Sequence, residues 1–78
     1  MPRYFFHIRK NGILEKDPEG AELPTLDAAR NEAILAAREI LAERVLQGQA
    51  LDGDCFVISQ EDGTVLVEVS FKSAFRLE

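Results

Sequence analysis

Several ingredients of chemistry are nearly missing from this sequence: it has one cysteine, one histidine and 9 basic residues against 14 acidic ones. With a single cysteine, no disulfide can staple the chain to itself. Cys55 lies in the apolar run Cys55-Phe56-Val57-Ile58 and reads as a buried, reduced thiol, which points to a cytoplasmic protein. With a single histidine, any histidine-based catalytic dyad or triad has to use His7. The net charge of −5 disfavours nonspecific attraction to phosphate backbones and anionic lipid, so nucleic acid is not an expected ligand. No apolar run approaches the ~20 residues of a membrane span, and Met1–His7 lacks the apolar core of an export signal.

What is present suits one small core. The 78 residues are 46% hydrophobic, enough for a single domain over residues 1–78 and too few for two. A chain of this size buries only about 60% of its unfolded surface, so its stability margin is narrow and self-association is a natural supplement.

The pattern of residues predicts the order β-β-α-β-β. Arg3 to Lys10 is rich in aromatic and β-branched residues and is followed by Asn11-Gly12, the strongest short hairpin signal, then by a second strand from Ile13 to Lys16. Alternation sends Tyr4, Phe6 and Ile8 to one face and Phe5, His7 and Arg9 to the other. Pro18, Gly20 and Pro24 among acids mark an irregular connection with Leu23 as its apolar anchor and a short extended piece at Ala21 to Leu23.

Thr25 as N-cap, Asp27 in the first turn and Gly48 as the stop bracket a helix from Leu26 to Leu46. Its core stripe is Leu26, Ala29, Ala33, Ala37, Ile40 and Leu41, widened by Ile34 and Val45. A narrow second stripe, Leu35, Ala42 and Leu46, falls in the middle of the polar side. Gln49 to Asp54 reads as a loop. A second hairpin follows, Cys55 to Gln60 and Thr64 to Phe71, turning at Glu61-Asp62-Gly63. Val65, Val67, Val69 and Phe71 share one face of the last strand, with Leu66, Glu68 and Ser70 on the other. The tail Lys72 to Glu78 still carries Phe75 and Leu77, so it need not be free, and the sequence leaves open whether it docks on a neighbour.

The expected architecture is therefore α+β, one long helix on one face of a four-stranded antiparallel sheet. One helix covers one face, which leaves Phe5, His7 and Leu66 behind the sheet and Leu35 and Leu46 outside the helix as candidate interaction surface.

No candidate chemistry outweighs its plain structural account. A Cys55 and His7 nucleophile–base pair requires adjacent strands and a depressed thiol pKa, and no helix start or cation is evident to depress it. Asp52, Asp54, Glu61 and Asp62 lack the register of a calcium loop and suit turns. Gly12, Gly20 and Gly53 stand apart and form no phosphate cradle. Phe5 with Arg3 and Arg9 is too sparse for base stacking in an acidic chain. The sequence assigns no catalytic residue, cofactor or metal.

Met1-Pro2-Arg3-Tyr4-Phe5-Phe6-His7-Ile8-Arg9, Asp17-Pro18-Glu19-Gly20-Ala21-Glu22-Leu23-Pro24 and Leu26-Asp27-Ala28-Ala29-Arg30-Asn31-Glu32-Ala33 together resemble a domain-of-unknown-function family of short proteins from rhizobia and related alphaproteobacteria. The resemblance spans almost the whole chain and implies a bacterial cytosolic setting, with no activity or cofactor attached. More locally, Glu22-Leu23-Pro24 ahead of an alanine-rich helix is similar to the antitoxin domain of HicB type, which implies a protein partner. The expected function is a non-enzymatic interaction module acting as a homodimer, the alternative being an antitoxin-like or adaptor protein that binds a different chain.

Overall fold

The computed structural model describes residues 1–49 and 53–75. Its elements are β1 (Arg3–Lys10), β2 (Ile13–Glu15), β3 (Ala21–Glu22), α1 (Leu26–Leu46), β4 (Cys55–Ser59), β5 (Val65–Ser70) and a 3-10 turn at Ser73–Phe75. The sheet is antiparallel in the order β2-β1-β4-β5, with β3 also paired to β1. The α+β architecture matches the expectation from sequence, with one addition. The extended piece near Ala21 becomes a fifth, two-residue strand.

The first hairpin turns where Asn11 and Gly12 both adopt positive φ, 53° and 77°, the left-handed conformation that Asn and Gly accept most readily. After that turn the chain pairs with β1 twice along one edge. β2 pairs Ile8 to Lys10, β3 pairs Arg3 and Tyr4, and residues 16–20 arch between them.

Thr25 caps α1 by accepting the Ala28 amide on its hydroxyl at 3.1 Å. The last turn closes with Gly48 donating to the Val45 carbonyl and Gln49 to that of Arg44, which satisfies carbonyls a helix end leaves free. Ala29, Ala33, Ala37 and Leu41 are buried, and the three small side chains let the helix lie close to the sheet. Tyr4 from β1, Phe56 and Ile58 from β4, and Val69 with the following Phe71 complete the core. Phe56 packs against Phe71 with ring centroids 5.0 Å apart and meets Phe6 edge-on at 6.3 Å. Side chains of this size contribute about 1.5–3 kcal/mol each when fully buried.

After β5 the chain folds back on its own helix. Ala74 is buried, and its carbonyl accepts from Arg38 Nε at 2.6 Å. The start of the tail, left open by the sequence, is thus tied to the helix through Ala74. The side chain of Phe75 and all of Leu77 lie outside the described residues, as does Asp52 in the predicted loop.

Candidate functional site

Strand register places Phe5, His7 and Arg9 on the face of the sheet away from the helix, opposite Ser59, Val57 and Cys55 respectively. The chain itself covers the middle of this face, while Leu14, opposite Arg9, and Val65, opposite Ser59, stay exposed toward its edges. The 16–20 arch lies over its β1 side: the Asp17 amide donates to His7 Nδ1 at 3.0 Å, and His7 stacks on Phe5 with centroids 6.2 Å apart. Gly20 sits so near that a Cβ there would fall 3.0 Å from Phe5 Cε2 and 2.9 Å from the Tyr4 carbonyl oxygen. Arg3 fastens the arch from the side, donating to the Glu19 carbonyl at 2.8 Å and to Glu22 at 3.3 Å.

Across β4, Arg9 and Glu68 form a two-pronged ion pair at 3.0 and 3.2 Å, passing beside the Cys55 sulfur, 3.6 Å from Arg9 and 3.9 Å from Glu68. Beneath this cover Val57 is buried and Phe5 and His7 are half-buried. Leu66, expected on this face, leaves it. Ile58 faces Val67 but Ser59 faces Val65, so β5 carries an extra residue at Leu66, which packs against the core cluster instead. Such a bulge reverses the alternation locally.

The geometry shows what Cys55 and His7 do. They share a face, but Cys55 stands opposite Arg9 while His7 stands opposite Val57, and the His7 ring nitrogen nearest the chain is already occupied by Asp17. Burial pushes the Cys55 thiol pKa up; the nearby Arg9 cation pulls it down, while Glu68 adds to the rise. A cation does lie beside this thiol, contrary to the expectation from sequence, but its charge is spent on Glu68. The result is a protonated thiol, which is a poor nucleophile.

Two carboxylates that read as ordinary loop acids are structural. Asp17 accepts from the Phe6 and Glu19 amides, both at 3.1 Å. Burial opposes its ionisation, yet the amides of Phe6, Glu19 and Gly20 more than offset that, and the carboxyl pKa is lowered. Asp54, 1% exposed, pairs with Arg44 at 2.8 Å, and the Arg44 guanidinium lies 5.7 Å over the Phe71 ring. A signal for this pair was present: Arg44 falls three residues after Leu41 and four after Ile40, on the apolar side of the helix, where a base needs a partner. Asp62 is a true turn acid, accepting the Thr64 amide at 2.9 Å, a bond that also lowers its pKa.

Outside the helix the picture differs. Leu35 is 54% exposed and Leu46 87%, with Ala42 exposed between them. Glu32, Glu39 and Glu43, all exposed, run along one flank of this stripe at the 100° spacing of a helix. On the other flank of the stripe Arg38 donates to the Ala74 carbonyl, while Arg44 lies on the opposite, core side of the helix, paired with Asp54.

Among the described residues, no helix is long and apolar enough to cross a membrane, and no group of three or more His, Cys, Asp or Glu side chains is placed to hold a metal ion. Comparison with curated proteins and with solved structures finds no match. Residues 3–72, in contrast, match a family throughout β1 to β5. The chain belongs to the family described as Domain of unknown function (DUF6894).

Proposed function

We propose that this protein is a non-enzymatic protein-interaction module whose working surface is the outer face of α1. The observation that carries the reading is an asymmetry. The middle of the rear of the sheet, at Phe5, His7 and Val57, is covered by the 16–20 arch and the Arg9–Glu68 pair, with Leu14 and Val65 42% and 52% exposed toward its edges, whereas Leu35 and Leu46 are 54% and 87% exposed on an otherwise polar helix face. Exposed apolar side chains aligned on one helix face are the usual signature of recognition by another chain. The reduced Cys55 suits a reducing compartment such as the bacterial cytoplasm.

Two occupants fit a surface of this kind, a second copy in a homodimer or a different chain bound as by an adaptor or antitoxin. Two observations favour the different chain. The exposed stripe is narrow beside the roughly 800 Å² that each partner buries in a standard stable complex. An antiparallel pairing of two copies also sets the flank of Glu32, Glu39 and Glu43 against itself.

Light scattering at tens of micromolar, on wild type and on a Leu35→Glu/Leu46→Glu variant, tests the reading. A monomer supports a different chain. A dimer lost in the variant retains the surface and assigns it to a second copy, and a dimer that survives the variant contradicts the surface itself.

A further inference from the structure

We infer that the outer face of α1 docks a short basic amphipathic helix supplied by another protein. This rests on the reading of that face as a working surface and adds the chemistry of its occupant. Leu35, Ala42 and Leu46 lie at i, i+7 and i+11, about 16 Å along the helix, which suits three to four turns of a partner helix. Ala42 in the middle is small and exposed, so a second backbone can approach closely there, with Leu35 and Leu46 closing over its two ends.

Charge selects the partner's sign. Glu32, Glu39 and Glu43 stand within a quarter turn of the stripe on one side. The C-terminal carbonyls of α1 add partial negative charge near Leu46. Arg38, on the other flank, keeps its charge but is held on the Ala74 carbonyl, and Arg44 lies on the core side of the helix, paired with Asp54, so the three glutamates outnumber the one base beside the stripe. A second copy, carrying net charge −5, meets this field with the wrong sign. A helix with leucines along one face and lysines or arginines beside them meets it with the right one.

The test uses the whole protein and three synthetic peptides of about four turns, ~14 residues. One has leucines at i, i+4, i+7 and i+11 with lysines at the remaining polar positions, one replaces those lysines with glutamates, and one keeps the lysines but scrambles the leucines. Binding is followed by calorimetry and by amide chemical shifts. The lysine peptide is expected to bind with shifts concentrated in residues 32–46. Its affinity should fall about tenfold or more on raising salt from about 0.05 to about 0.3 M, in a Leu35→Ser/Leu46→Ser variant that removes the apolar contacts without adding charge, and in a Glu32→Gln/Glu39→Gln/Glu43→Gln variant.

Equal binding of the glutamate peptide on the same residues overturns the basic partner while leaving the surface standing. Binding of the scrambled peptide as tightly as the ordered one, shifts centred on the acids of 15–22, or no binding of any peptide overturns the proposal outright.

Discussion

The Asp17 carboxylate accepts the Phe6 amide at 3.1 Å, at a point on β1 where neither β2 nor β3 reaches. β2 pairs Ile8 to Lys10 and β3 pairs Arg3 and Tyr4, so Phe5 to His7 face a gap in the ladder that one side chain fills. With its second oxygen on the Glu19 amide and its own amide on His7, Asp17 holds the arch that covers the rear of the sheet. An Asp17→Ala change leaves these donors without their acceptor and is expected to cost about 1–3 kcal/mol, measured by urea unfolding.

The same group predicts a pH dependence. The amides it accepts from hold its carboxyl below the ordinary aspartate range, so its stabilisation is fully present above the unfolded-state pKa and is lost as pH falls through the folded-state pKa. Wild type should lose stability below about pH 4 more steeply than Asp17→Asn, with unfolding free energies compared between pH 6 and pH 3. Equal slopes would remove Asp17 from this role.

Gly20 is the place where the arch comes nearest the strand. It has φ +68°, and a Cβ would lie 2.9 Å from the Tyr4 carbonyl oxygen, a backbone atom that cannot swing aside. Gly20→Ala should therefore destabilise by more than about 1 kcal/mol. Gly12→Ala, where no atom lies within 4 Å of the added Cβ, should cost less, and thermal melts of the two variants make the comparison.

Arg44 and Asp54 are expected to behave as a unit. Asp54→Ala leaves a largely buried guanidinium against Phe71 and should cost about 3–5 kcal/mol, enough to unfold a domain this small. An Arg44→Met/Asp54→Leu double change should recover much of that loss. Circular dichroism melts of the single and double variants decide whether the pair or each residue separately matters.

The Cys55 thiol reports on its two charged neighbours. Arg9 lowers its pKa and Glu68 raises it, so Glu68→Gln should speed thiol labelling at neutral pH and Arg9→Gln should slow it. The pH dependence of labelling with a disulfide reagent separates this electrostatic effect from a change in exposure.

Much of the fold was legible because its signals are local. Asn11-Gly12, Thr25 and Gly48 sit where turns and caps require them, and the alanine stripe marked the buried side of α1. The outer stripe was legible too, since Leu35 and Leu46 break an otherwise polar face. What the sequence hid depends on register between distant strands. Nothing near Leu66 announces that β5 carries an extra residue, so simple alternation put it behind the sheet. Asp17 and Asp54 looked like loop acids because the amides and the guanidinium they serve come from elsewhere in the chain. Consequently the rear face looked open in sequence, and the structure covers its middle while leaving Leu14 and Val65 exposed.

The claim that the outer face of α1 is the working surface is tested most directly by affinity purification from the native cell with wild type and with Leu35→Glu/Leu46→Glu, after confirming equal stability. The account predicts a protein that co-purifies in stoichiometric amount with wild type and is lost with the variant. Recovery of the same protein with both, or of the bait alone with wild type, would contradict it.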